Sequence, residues 1–343
     1  MEFLNINDFI EQSKTTPVVD VRSPSEFLQG HIPGAVNIPL FTDEERAEVG
    51  TRYKKINPES AVMHGLEVVG PKMVEYVKQA KKIAKKNNLL VHCWRGGMRS
   101  KSLAFLFEVA GIKCSVLTGG YKSFRRHVLE SFQMPLNLLV LGGYTGSGKT
   151  DILHEINQSG EQIIDLEKLA NHKGSAFGSL GMPPQPTNEQ FENNLFDCIN
   201  KLDLNEHIWV EDESECIGKI VLPKAFYLRM FKSQLLVIDM PREMRTQRLL
   251  KDYGSFSKEE LSNSFLRISK KLGNLVTRIC LDSVKRDELN TAINFALKYY
   301  DKMYDFSTAE TNESRFQRIS LDNINAKENA QIILKYVDDY IRL

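Results

Sequence analysis

Short apolar runs that stop abruptly at polar or turn residues recur along the chain. TPVVDVR (16–22), NLLVHCW (88–94) and CSVLTGGY (114–121) lie in the first part, and LNLLVL (136–141), EQIIDL (161–166), HIWVEDES (207–214) and SQLLVIDM (233–240) in the second. Runs of this length without alternation predict strands buried on both faces of a parallel sheet. The intervals between them follow a helical period. Over 72–87, Val77, Ala80, Ile83 and Ala84 fall on one face, while Lys78, Lys81, Lys82, Lys85 and Lys86 fall on the other. RSKSLAFLFEVAG (99–111) and KSFRRHVLESFQM (122–134) predict two further helices. Strand and helix thus alternate, the mark of an α/β fold. Pro135 marks a boundary, so the expected organisation is a first domain over 1–130, a linker over 131–136 and a second domain over 137–343 ending in a helical segment. The Gly-, Pro-, Gln- and Asn-bearing run 174–190 predicts a long loop, of the kind that carries function in compact domains.

A length of 343 residues supports two cores, and 42% hydrophobic with 26% charged residues excludes disordered and fibrous classes. Charge changes the picture more. Residues 1–135 hold 19 Lys and Arg against 14 acids, and residues 136–343 hold 26 against 30. A polyanionic partner is therefore expected on the first half or at the junction. The opening MEFLNINDFIEQ is acidic without a long apolar run, and no later stretch reaches the length of a membrane span, so a cytoplasmic protein without membrane association is expected. Cys93, Cys114, Cys198, Cys216 and Cys280 are odd in number and lack any CxxC pair, which argues against disulfides and structural zinc. Four of them read as buried hydrophobes. Cys93 differs in its surroundings.

The second half opens on strand, turn and helix with Gly143-Tyr-Thr-Gly146-Ser147-Gly148-Lys149-Thr150 at the turn. This is a complete phosphate-binding loop: glycines let backbone N–H groups converge on phosphate oxygens, Lys149 neutralises them, and Thr150 can ligate magnesium. Such a loop ordinarily binds a nucleoside triphosphate. An acid at a neighbouring strand end is expected to complete a magnesium site with Thr150, and Asp165, Glu211 and Asp212 are the candidates, with Asp212 the chosen metal partner. Polar residues at strand ends read the same way. Arg242, Arg245 and Arg248 lie along one side of a helix after a strand, either as a clamp for a transferring phosphate or as ordinary surface arginines.

HCWRGGMRS (92–100) places Cys93 at a strand end, before a glycine turn that opens onto a helix. A helix N-terminus, Arg95 and Arg99, and inward N–H groups all lower a thiol pKa, so Cys93 is the candidate nucleophile, with the two arginines as anion holders. With Asp20-Val-Arg22, Glu26-Phe27 and Gly30-His-Ile-Pro-Gly-Ala, this region resembles the rhodanese family over about residues 1–130. In that family the cysteine carries sulfane sulfur. The loop here, C-x5-R, is one residue longer than in many sulfurtransferases and matches that of tyrosine-type phosphatases and arsenate reductases, whose loops hold tetrahedral oxyanions.

The combination with ERAEVGTRYK (45–54), LTGGYKSFRR (117–126), HKGSAFG (172–178) and VEDES (210–214) is similar to the tRNA 2-selenouridine synthase family along nearly the whole chain. The resemblance implies a rhodanese-like parallel-sheet domain followed by a P-loop NTPase-like parallel-sheet domain. It implies replacement of sulfur by selenium in tRNA bearing 2-thiouridine at the wobble position. Selenophosphate and geranyl diphosphate would be co-substrates, with no tightly bound cofactor and with selenophosphate synthetase as a partner.

Alkylation makes sense of the pairing, because a thiocarbonyl sulfur departs poorly as sulfide and an S-geranyl group departs as a thiol. On this expectation Cys93 takes selenium as a perselenide or holds selenophosphate for direct transfer, and the P-loop holds the prenyl diphosphate. The lysine face, Arg125 and Arg126 are candidate tRNA contacts, and Trp94 or Tyr121 candidate stacking partners for the base. Three other readings stand beside it: a phosphatase or arsenate-reductase-like enzyme with a regulatory nucleotide-binding domain, a kinase with a rhodanese-like binding module, and a non-catalytic tRNA scaffold.

Overall fold

The computed structural model describes residues 1–308 and 315–340. It divides into two compact units, residues 1–132 with 192–197, and residues 133–191 with 198–343.

The first unit is built on five strands: β1 (Glu2–Leu4), β2 (Val18–Asp20), β3 (Val36–Asn37), β4 (Asn88–His92) and β5 (Lys113–Leu117). All pair in parallel in the order β1-β5-β4-β2-β3, with Val18 opposite Leu90 and Leu90 opposite Ser115. Their helices are α1 (Ile6–Ser13), α2 (Pro24–Gln29), α3 (Asp43–Lys55), α4 (Pro58–Val69), α5 (Met73–Ile83), α6 (Met98–Val109) and α7 (Gly120–Ser131). Val19, Val91, Val116, Ala80 and Phe107 are fully buried between sheet and helices. As the pattern predicts, α5 buries Ala80 and keeps Lys78, Lys81 and Lys82 in water; it ends at Ile83, and Lys85 and Lys86 belong to the following turn. From β2 the chain runs to β3 at one edge and then returns to β4 on the other side of β2. The crevice at the carboxyl ends of β2 and β4 is therefore a topological switch point, where α/β sheets place ligands.

Arg22 stands beside this crevice as a structural ion. It is buried, donates to Asp20 at 2.6 Å and to Gly30 O at 2.7 Å, and stacks its guanidinium 3.7 Å from the Tyr121 ring centroid. Both Asp20 oxygens and the Nε and Nη2 groups of Arg22 are thereby used, which is what makes a buried ion pair tolerable.

The second unit holds β6 (Leu138–Gly143), β7 (Gln162–Ile164), β8 (Ile208–Glu211), the small antiparallel pair β9 (Cys216–Ile217) and β10 (Ile220–Val221), β11 (Gln234–Asp239) and β12 (Phe316–Ser320). The main sheet is parallel in the order β12-β11-β6-β8-β7, so β6 is central and its carboxyl end lies at the switch between the two winding directions. Its helices are α8 (Lys149–Gln158), α9 (Leu166–Ala170), α10 (Asn188–Ile199, whose residues 192–197 group with the first unit), α11 (Lys224–Lys232), α12 (Arg242–Tyr253), α13 (Lys258–Arg267), α14 (Ser269–Leu272), α15 (Asn274–Lys285), α16 (Leu289–Thr308) and α17 (Ala326–Tyr340). One apolar cluster joins the sheet to α8 and α17 through Leu141, Ile152, Trp209, Ile238 and Ile333. Another, around Phe265, Cys280 and Leu297, unites α12, α13, α15 and α16. The expected loop after Gly174 runs to Thr187.

Two expectations need correction. The C-terminal segment is not wholly helical, because β12 adds an edge strand beside β11, with Phe316 opposite Leu235. Only Ile319 of β12 is buried, so it lacks the continuous apolar run that marks a central strand. Nor are four cysteines buried hydrophobes. Cys114 and Cys280 are, but Cys198 is half-buried and Cys216, opening β9, is exposed; all five cysteines are free thiols. No helix among the described residues is long and apolar enough to cross a membrane.

Candidate functional site

Cys93 follows β4 directly, and its loop closes at Gly97, the cap of α6. The loop is pinned from behind by the start of α7, where the N–H groups of Tyr121 and Lys122 donate to the carbonyls of Cys93 (2.8 Å) and Trp94 (3.0 Å). Gly120 makes this approach with φ +60°, and a Cβ there would lie 2.4 Å from both Cys93 O and Gly96 N, so only glycine fits. Ser100 Oγ lies 3.3 Å from Cys93 Sγ and 3.1 Å from Gly97 O. Burial opposes ionisation of the thiol. Hydrogen bonds from the Ser100 side chain and from the backbone of Arg95 and Ser100, with the Arg99 charge, outweigh it and hold Cys93 below the ordinary thiol range.

Arg99 is fixed by Glu26, Nη1 to Oε2 at 2.8 Å, and Glu26 also takes Arg46 at 3.0 Å. Arg95 is exposed at the loop. His92, buried 3.7 Å from Asp20, is kept toward the neutral form by burial. A direct consequence is measurable. Titrating ultraviolet thiolate absorbance, wild type minus Cys93→Ser, should place the Cys93 midpoint below that of an ordinary thiol, about 8.5. Ser100→Ala should move it upward, since the favourable hydrogen bond to the thiolate is removed. An unchanged midpoint in Ser100→Ala would refute this assignment.

Two base-stacking candidates separate here. Trp94 is exposed at 37%, whereas Tyr121 is fully buried, stacked on Arg22 and hydrogen-bonded at its hydroxyl by Asn193 Nδ2 at 2.8 Å. Tyr121 is therefore corrected to a structural residue. Arg125 is likewise engaged, donating to Asn193 Oδ1 at 2.6 Å and pairing with Glu192, while Arg126 and the α5 lysines remain exposed.

In the second unit, residues 143–150 turn from β6 into α8. Gly148 caps α8 with φ +81°, and a Cβ there would come 2.9 Å from the Arg248 guanidinium. Lys149 Nζ donates to Gly143 O at 2.9 Å. Ser147 Oγ is buried without a hydrogen-bond partner, an arrangement that costs about 1–3 kcal/mol and suits a ligand oxygen. Gly143 N donates to Tyr304 Oη at 3.0 Å, and the Tyr304 hydroxyl donates to Asp212 at 2.9 Å.

The expected acids take different places. Asp165 caps α9 through Lys168 N at 2.7 Å and pairs with His154 at 2.6 Å. Glu211 is buried and accepts from Leu166 N, and its other oxygen has no partner; burial and the charges of Asp165, Glu167 and Glu213 push its carboxyl well up. Asp212 is turned to Tyr304, and burial raises it despite that bond and the Lys149 charge. Glu167 is the acid at Thr150, whose Oγ1 donates to it at 3.0 Å. Glu213 is raised to about 8 by burial and then by the charge of Glu167, with Lys149 opposing.

Among the described residues no group of three or more His, Cys, Asp or Glu side chains is arranged to hold a metal. The hydroxyl of Thr150 and the carboxylate of Glu167 are nonetheless the oxygen donors that magnesium accepts beside phosphate oxygens and water. Of the arginines, Arg242 and buried Arg245 both pair with Asp301, and Arg245 also donates to Thr145 O at 3.1 Å. Arg245 thus supports the loop from behind. Arg248 pairs with Asp151 and lies against Gly148.

A family model described as tRNA 2-selenouridine synthase AAA domain matches residues 136–332, and a rhodanese-like domain model matches residues 5–127. The chain is 36% identical over 330 residues to the tRNA 2-selenouridine synthase of Shewanella denitrificans, covering 86% of this chain and 89% of that one. It is 35% identical to that of a Sulfurovum species over 95% of each. The chain belongs to the tRNA 2-selenouridine synthase family. A further relative of that name, from Nitrosomonas europaea, is 40% identical over 246 residues, and the chain spans 63% of its length in that match.

Within this family member, several site residues escape sequence reasoning. Ser100 directly follows Arg99, and Glu167 lies two positions beyond Asp165, so adjacency to a chosen residue is the available signal for both. Tyr304 and Asp301 lie on α16, far along the chain, and no local pattern ties them to the phosphate loop.

Proposed function

We propose that the chain exchanges sulfur for selenium at C2 of a wobble 2-thiouridine in tRNA, in two steps assigned to its two units. In the first, the thiocarbonyl sulfur attacks C1 of geranyl diphosphate. The C–S bond forms, the C–O bond breaks, diphosphate leaves with the electron pair, and the N3 proton is lost to solvent. Lys149, Ser147 and the backbone N–H groups of residues 143–150 would hold the diphosphate oxygens and take up the charge that develops on them. Magnesium, if bound at Thr150 and Glu167, would supply further charge to those oxygens.

In the second step, selenium of selenophosphate attacks C2, the C2–S bond breaks, and geranylthiol leaves with a proton. Water then attacks phosphorus and releases phosphate, leaving 2-selenouridine. Of the two roles for Cys93, holding the anion for direct transfer balances electrons without a co-reactant, since a perselenide on Cys93 would leave phosphorus as phosphite. Arg99, fixed by Glu26, and Arg95 would bind the selenophosphate oxygens. The observation that supports this reading is the lowered Cys93 thiol in a C-x5-R loop, the length that phosphatase-like loops use for a tetrahedral anion, within a chain that also carries a complete phosphate-binding loop. Selenophosphate synthetase would supply the donor, in the cytoplasm.

One observation favours a second reading. Ser100 Oγ beside Cys93 Sγ would help a thiolate leave from phosphorus, as phosphoester hydrolysis through a cysteinyl phosphate requires. Nucleoside mass spectrometry separates the two. Thiolated tRNA with geranyl diphosphate alone should yield the S-geranyl nucleoside, and with both donors 2-selenouridine. Hydrolysis of a phosphoester by Cys93, with no modified nucleoside under any donor, would favour the phosphatase.

A further inference from the structure

The first unit includes a short stretch of helix that arrives from far along the chain. Residues 192–197 of α10 group with it, although residues 133–191 lie between. This stretch seats Phe196 edge-on against Phe124 and His127 of α7 and pairs Glu192 with Arg125. Asn193, between these anchors, is fully buried. Its Nδ2 donates to the His31 carbonyl at 2.9 Å and to the Tyr121 hydroxyl at 2.8 Å, and its Oδ1 accepts from Arg125 at 2.6 Å. The partners fix which way the amide points, because a carbonyl only accepts and a guanidinium only donates. Both amide protons are used, which is what allows a polar group to be buried so completely.

The two segments that Asn193 joins are those that frame the Cys93 loop. Tyr121 stands in the first turn of α7, where its N–H donates to the Cys93 carbonyl at 2.8 Å and its ring lies 3.7 Å from the Arg22 guanidinium. His31 follows α2, the helix whose Glu26 fixes Arg99, and the adjacent Gly30 carbonyl accepts from Arg22. The N–H that pins the loop and the carboxylate that fixes its arginine therefore sit on elements fastened to each other through one side chain. An aliphatic residue at 193 would fill the space and fasten neither.

We propose that Asn193 is a positioning residue for the selenium step, holding the start of α7 and the turn after α2 in the register that keeps the Cys93 carbonyl pinned and Arg99 fixed. The proposal rests on the role given to Cys93 above and adds a residue outside both loops. Asn193 touches neither Sγ nor Arg99 and acts through Tyr121 and α2. Misplacing a reacting group by about 1 Å is enough to cost on the order of 100-fold in rate, so a support of this kind has kinetic consequences.

Thiolate titration and kinetics of the full chain test this. In Asn193→Ala the Cys93 midpoint, read as ultraviolet thiolate absorbance against the same variant carrying Cys93→Ser, should rise by about 0.5–1 pH unit toward the ordinary thiol value. Selenium insertion into tRNA bearing S-geranyl-2-thiouridine should lose about 10- to 100-fold in kcat with little change in KM for the tRNA. Alkylation of thiolated tRNA by geranyl diphosphate should keep its rate. Tyr121→Phe, which removes one of the two acceptors and keeps the ring, should move both readouts the same way by less, and it keeps the test open if the alanine variant does not fold. A midpoint unmoved in both variants, or an equal loss of selenium insertion and alkylation, would make Asn193 a packing residue and overturn the proposal. A shifted midpoint in a protein whose wild type makes no 2-selenouridine would leave the positioning role standing and sink the reaction proposed above.

Discussion

Replacing Cys93 by serine should lower selenium incorporation by at least about 1,000-fold while S-geranyl-2-thiouridine accumulates in the tRNA. The substitution changes one atom in a buried position, so folding should survive it. A serine hydroxyl beside Ser100 stays protonated at neutral pH and cannot take the proton of a bound hydrogen selenophosphate, whereas the hydrogen bonds and the Arg99 charge around Sγ favour a thiolate that can, freeing selenium to attack C2. The alkylation step has no need of that thiolate, and its product should therefore persist and build up. Nucleoside mass spectrometry of treated tRNA checks both halves. Loss of S-geranyl product in Cys93→Ser would show that the cysteine serves the first step as well.

Lys149→Ala should produce the complementary defect. Alkylation should fall by about 100- to 1,000-fold, the usual loss when one preorganised group that stabilises developing negative charge is removed. Selenation of ordinary thiolated tRNA should fall with it, because its substrate is no longer made. In the free protein Lys149 Nζ donates to Gly143 O and its charge opposes the raised carboxyls of Glu167, Asp212 and Glu213, so its loss should also lower stability, by about 0.5–3 kcal/mol. Pre-steady-state alkylation with geranyl diphosphate, beside a thermal unfolding curve, distinguishes a chemical defect from a folding one.

Much of this arrangement is legible before any coordinates. Central strands such as β4, β6, β8 and β11 are apolar on both faces, and that pattern survives in one dimension. The phosphate loop and the cysteine loop are also local, since their chemistry depends on consecutive residues folding tightly at a strand end. What escapes is tertiary or marginal. β12 lies at an edge and buries only Ile319, and α3 buries no residue, so neither carries a strong apolar period. Tyr121 reads as an aromatic beside the loop and is instead a buried platform, with Arg22, His92 and Phe124 packed on its ring and Asn193 on its hydroxyl. The three arginines of α12 share a helix but not a role. Asp301, on α16, draws Arg242 and Arg245 away from any free clamp, a distinction no spacing on α12 contains.

The division of labour between the two units is tested most directly by supplying tRNA already bearing S-geranyl-2-thiouridine, with selenophosphate and no geranyl diphosphate. Wild type and Lys149→Ala should both convert it to 2-selenouridine with release of geranylthiol, and Cys93→Ser should not. Failure of Lys149→Ala on this substrate, or conversion by Cys93→Ser, would contradict the assignment of alkylation to the phosphate loop and of selenium insertion to the cysteine loop.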